Sequence, residues 1–176
     1  IFFVHLKSAM KILLFISVIS IGIFFSFDTK KKTLLDQVTA RNIPKKDLLI
    51  YIDKSAYELK VKYKDEVLIT YPSVFGFNEK DDKKQEGDGC TPEGNFGIVS
   101  MYPHKSWSYF IWIDYPNAKS WEKFNANKKN KVIPQDATIG GQVGIHGVPK
   151  GNDDLISSKT NWTLGCISLT TTDITD

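Results

Sequence analysis

Two side chains in this chain have the chemistry of a nucleophile and its base. His146 and Cys166 sit in glycine-bearing, β-type runs, Gly140–Gly147 and Thr163–Leu169. Between them lie Pro149, Gly151, Asn152, Asp153 and Asp154, residues that favour loops. Two adjacent strands joined by such a loop would bring an imidazole within hydrogen-bond reach of a thiol, the minimum equipment for a thiolate nucleophile and its general base. Gly165 lets backbone approach a substrate closely, and the N–H groups of Leu164–Cys166 are candidates to face a developing oxyanion. Gly147 leaves its carbonyl open to hold the imidazole's other nitrogen and set its tautomer. An inert, buried cysteine is the alternative that composition alone leaves open.

The elements that must position this pair read as β. Leu48–Asp53 is a strand candidate. Tyr57–Tyr63 alternates, with Tyr57, Leu59, Val61 and Tyr63 on one face and Glu58, Lys60 and Lys62 on the other. Lys64-Asp65 turns the chain into Glu66–Tyr71, which Pro72 interrupts. This predicts an antiparallel meander with one wet face. Further strands are predicted at Ile98–Met101, after the turn Thr91–Phe96, and at Phe110–Asp114. Helices are predicted at Thr33–Arg41, ended by Pro44, and at Asn117–Asn127, where Trp121 and Phe124 form the apolar contact. Thr171–Asp176 reads as the opening of a helix capped by Thr172 or Asp173, and the domain is expected to be cut short there.

Composition excludes several functions. With 41% hydrophobic and 24% charged residues the chain is an ordinary globular protein. Its net charge of +3 shrinks further without Lys7 and Lys11, and no basic stripe argues for nucleic acid. Lys80–Lys84 is broken by Asp81 and Asp82 and reads as a solvated loop. Cys90 and Cys166 are the two cysteines, too few for a disulfide scaffold, although one bridge between them stays open. A zinc site from His104, His146, Cys90 and Cys166 lacks the usual close ligand pairs. Gly140, Gly141 and Gly144 lack the Lys-[ST] of a phosphate loop. No metal or organic cofactor is expected. His104 reads as a loop histidine. Trp107, Tyr109, Phe110 and Trp112 read as core, with a glycan-lining role as the alternative. Asn161-Trp162-Thr163 matches a glycosylation sequon by coincidence.

At the other end, Met10-Lys11 precedes the unbroken apolar run Ile12–Phe27. A basic start before such a run predicts export, with a cleaved signal peptide or an uncleaved anchor both open. The organisation is then a leader over residues 1–27, a linker over 28–46 and a catalytic domain over 47–176.

The residues also carry a family resemblance. Ile145-His146-Gly147, followed by Thr163-Leu164-Gly165-Cys166-Ile167, resembles the I-H-G and [ST]-x-G-C-[IV] core of the L,D-transpeptidases of peptidoglycan, the YkuD-type domain. Thr91-Pro92-Glu93-Gly94-Asn95-Phe96 resembles that family's T-P-x-G-x-[FY] turn. The resemblance implies a β-sandwich-like domain with one or two peripheral helices. It also implies a thioester formed on Cys166, with His146 as base and the Gly147 carbonyl as orienting group. Thr163, Leu164, Gly165 and Ser168 become substrate-binding candidates, and stem peptides become the substrate. The implied acceptor is another stem, a lipoprotein lysine, a D-amino acid or water, and the implied site of action is the periplasm or cell envelope. Hydrolysis of the same peptides and a non-catalytic envelope-binding module are the competing readings. The stricter S-H-G-C-x-R form is not met: Thr163, Leu164 and Ser168 replace its serine, histidine and arginine, and the missing cation weakens donor binding.

Overall fold

A computed structural model describes residues 32–176 of the chain. The expected leader and the first residues of the expected linker lie outside the described residues. Among the described residues no helix is long and apolar enough to cross a membrane.

Local signals build most elements. Thr33 caps the helix α1, Leu34–Ala40, through a capping box with Asp36. This helix is tied to the domain: Gln37 Nε2 donates to Leu68 O at 2.9 Å, and Arg41 pairs with Glu66 at 2.7 Å. The meander follows as β1 (Leu48–Asp53), β2 (Glu58–Tyr63) and β3 (Glu66–Pro72), antiparallel in the order β1-β2-β3. In β2 the alternation is realised: Leu59 and Val61 are buried. Glu58, Lys60 and Lys62 fall on the opposite side.

The second sheet contains β4 (Ile98–His104), β5 (Ser108–Ile113), β6 (Gly144–Gly147) and β7 (Ile167–Leu169), in that order. Its first three strands are antiparallel, whereas β6 and β7 run parallel. Parallel neighbours need a crossover. The predicted loop between His146 and Cys166 supplies it, and contains the single-turn helix α3, Asp154–Ser157, which loop composition concealed.

The two sheets close on one core. Leu59, Val61, Ile69 and Tyr71 of the first meet Ile145, Ile167 and Leu169 of the second, with Phe75 between. The chain beyond β3 passes from one sheet to the other, bridging Val74 to Ser168 and Gly76 to Thr163. The class is mainly β and the arrangement sandwich-like, as expected. The helix α2, Ala118–Lys129, is capped by Asn117. Phe124 enters a second core cluster, but its expected partner Trp121 is 45% exposed and meets it only edge-on. Asp173–Thr175 forms one 3-10 turn.

Candidate active site

Register assembles the site. Ile145 pairs with Ile167 and both point into the sandwich core, so the next pair, His146 and Ser168, must point to the outer face. Phe110 pairs with His146 from β5, and Val74 bridges to Ser168 from the other side. One row therefore crosses the outer face as Phe110, His146, Ser168, Val74. Gly144 lies two residues before His146 on β6, and Cys166 stands one residue ahead of β7, with its sulfur beside Gln142 O and the Gly144 N–H. Gly144 has to be glycine: a Cβ there would stand 2.5 Å from Ile111 O and 2.6 Å from the Phe110 ring.

His146 is 2% exposed. Trp107 stacks on its ring at 4.4 Å, Phe110 at 5.7 Å, and Trp162 approaches edge-on at 5.7 Å. Trp107 stacks in turn on His104 at 4.4 Å, so that residue belongs to an ordered ring column and not to a free loop. Of the four aromatics read as core, Trp107 and Phe110 wall the histidine. Burial lowers the pKa of His146, the Gly147 hydrogen bond works against this, and the His104 charge adds to it. The neutral ring donates its Nδ1–H to Gly147 O at 2.8 Å. Its Nε2 remains the basic nitrogen.

Cys166 Sγ donates to Gln142 O at 3.7 Å, and not to the imidazole. Burial pushes this thiol up, against the Gly144 N–H and the Lys83 ammonium, which favour the thiolate. The resting pair is thus a neutral thiol and a neutral imidazole. Burial penalises both charges.

The loop before the sulfur is tied by its own side chain. Thr163 Oγ1 donates to Cys166 O at 2.7 Å and accepts from Gly165 N at 3.2 Å. The Gly165 N–H is therefore committed inside the loop and does not point at an oxyanion. Gly165 sits at φ +144°, and a Cβ on it would stand 2.7 Å from Cys90 O, so its close approach is to Cys90. Among the substrate-binding candidates Leu164 is 73% exposed, whereas Thr163 is buried at 5%. Ser168 is wholly enclosed, and its Oγ has no hydrogen-bond partner. Its place in the row is between His146 and Val74.

The residues that sequence reasoning missed are those brought in from afar. Thr91 Oγ1 accepts from Gly76 N at 3.0 Å, which docks the Thr91–Phe96 turn beside the strand that bridges to Thr163. Lys83 Nζ lies 3.7 Å from where a Gly165 Cβ would stand. Both cysteines are free. Among the described residues no group of three or more His, Cys, Asp or Glu is arranged to hold a metal.

The family model of the YkuD L,D-transpeptidase catalytic domain matches residues 47–176. Among solved structures, the chain is similar to Bd1075 of Bdellovibrio bacteriovorus, with 19% identity, a TM-score of 0.48, and 73% of this chain and 42% of that one covered. It is likewise similar to an L,D-transpeptidase from Mycobacterium smegmatis, with 19% identity, a TM-score of 0.41, and 73% and 52% covered. The match spans about half or less of those two chains. No curated protein matches the chain.

Proposed function

The chain belongs to the L,D-transpeptidase catalytic-domain family, and from that premise we propose that it is an exported acyltransferase acting on peptidoglycan stem peptides through Cys166. The observation that carries this reading is the tautomer of His146: with Nδ1–H given to Gly147 O, its Nε2 is the basic nitrogen, and Cys166 lies just ahead of β7, the strand paired with the one that holds His146.

In the reaction, the thiol turns from Gln142 O toward Nε2, a tightening that substrate commonly brings about. His146 takes the proton and the sulfur attacks the carbonyl that follows the L-centre of diaminopimelate. The C–N bond to D-alanine breaks, and the imidazolium returns the proton to the leaving amine. The resulting thioester is opened by an acceptor amine, whose proton His146 takes in turn. The Cys166 N–H is the donor we assign to the oxyanion, and one such donor contributes about 3 kcal/mol at the tetrahedral stage. Leu164, exposed two residues before Cys166, is the residue assigned to substrate contact.

Incubation with disaccharide-tetrapeptides and an amine acceptor tests this by mass spectrometry. The expected products are a Cys166 acyl-enzyme, released D-alanine and an exchanged or cross-linked peptide, all absent from Cys166→Ala. Turnover retained by that variant refutes the nucleophile. One observation favours a second reading, a non-catalytic envelope-binding module: the sulfur bonds to Gln142 O and both members of the pair are neutral. That reading predicts no acylation of Cys166 by a carbapenem at neutral pH.

A further inference from the structure

Lys83 comes from the charged run Lys80–Lys84, yet only 4% of its side chain is exposed, and its Nζ lies 2.9 Å from Asp88 Oδ1. A buried ammonium is costly unless it is paired and held. Here the holding is thorough. The Asp88 carboxylate also accepts from the N–H groups of Lys84 at 2.7 Å, Gln85 at 3.0 Å and Cys90 at 3.0 Å. The loop is fixed to the sandwich by Asn78 N on Gly89 O and Gly76 N on Thr91 Oγ1, each at 3.0 Å. The ammonium therefore has one address, against the Gly165 turn at 3.7 Å from its Cβ position.

The ion pair is oriented. Its carboxylate end receives the Cys90 N–H, while its ammonium end faces the residue before Cys166. The two sulfurs feel opposite ends: Lys83 favours the Cys166 thiolate, and after burial Asp88 is the largest influence that keeps Cys90 a thiol. Apolar residues fill such a space as stably as an ion pair does, so packing alone does not call for a charge here.

We propose that Lys83 is a positioning residue for the nucleophile: its ammonium, anchored by Asp88 against the Gly165 turn, stabilises negative charge on the Cys166 sulfur. The proposal rests on reading Cys166 as the nucleophile. Other groups face the pair. Asp82, Lys84, Glu93, Lys123 and Tyr115 line the same small cavity as Lys83. Cys90 lies against Gly165, and His146 pairs with Ser168, two residues beyond Cys166.

The test is the pH profile of Cys166 alkylation by iodoacetamide in the full chain, with peptide mapping to separate Cys166 from Cys90. Lys83→Met is expected to raise the Cys166 midpoint by about one pH unit and slow alkylation at neutral pH by about tenfold; Lys83→Arg restores both. An unmoved midpoint in a Lys83→Met protein that still melts cooperatively overturns the proposal. Lys83→Gln, whose amide can still donate to Asp88, should raise the midpoint in the same way; an unmoved midpoint there overturns the proposal even if Lys83→Met fails to fold. Alkylation needs no stem peptide. A midpoint moved as expected in a protein without turnover supports the role of Lys83 while the transpeptidase reading fails, and normal turnover with an unmoved midpoint overturns the role of Lys83 alone.

Discussion

The two sheets follow the same alternation but use their outer faces in opposite ways. In β2, Leu59 and Val61 enter the core and Glu58, Lys60 and Lys62 take the other side, with Lys60 and Glu58 paired at 2.8 Å near water. In β6 and β7, Ile145 and Ile167 enter the same core, but the other side carries His146 and Ser168, and neither reaches solvent. Trp107 and Trp162 cover the histidine, and Val74, Val148 and Ile156 pack as a cluster beside Trp162. A titratable ring under such a cover is expensive unless it is hydrogen-bonded. Gly147 O supplies that bond at 2.8 Å. The contrast is that on the second sheet aromatic side chains replace water over a polar residue held by a single backbone carbonyl.

Three measurements break or sharpen this contrast. The largest effect is expected from Phe110→Ala on the covered face, which should cost roughly 3–5 kcal/mol in urea unfolding. Phe110 is 6% exposed and stacks on both His146 and Tyr102, so a cost below about 1 kcal/mol means that this face is not packed and the contrast fails.

The intermediate effect is a pH dependence. Burial holds His146 below its ordinary value, whereas the unfolded chain takes the proton near 6.5. Below that pH the unfolded state binds more protons, so the contribution is complete above about 6.5 and is lost as pH falls through the folded value. Wild-type unfolding free energy should therefore drop more between pH 7.5 and pH 5.5 than that of His146→Gln. Equal drops in the two proteins mean that the ring is not shielded.

The smallest effect belongs to the wet face. Lys60→Ala removes an ion pair whose side chains are 27% and 37% exposed, and should change stability by no more than about 0.5 kcal/mol. A cost like that of Phe110→Ala would mean that the two outer faces are alike.

Much of this was legible along the chain because it is encoded locally. Leu59 and Val61 alternate with lysines, Asn117 precedes the helix it caps, and Gly147 follows the histidine whose nitrogen its carbonyl accepts. The pair His146 and Cys166 stands out because the two side-chain chemistries are scarce in this chain and each is flanked by glycine. Trp121 misled for the same reason: helical spacing says which residues share a face, and not how much of that face is covered.

Neighbouring residues were enough to specify most strands and the Asn117 cap, and to single out His146 and Cys166 as candidates, since each depends on residues a few positions apart. Only the tertiary structure decided that β6 and β7 run parallel, that Thr163 closes on its own loop, that Ser168 is sealed in, and that Lys83 leaves its charged run to lie against Gly165. The physical reason is that register and burial are set by whichever distant segments meet across a sheet. A lysine flanked by aspartates looks solvated until a loop folds it onto Asp88, and a histidine looks accessible until Trp107 and Trp162 come to lie against it.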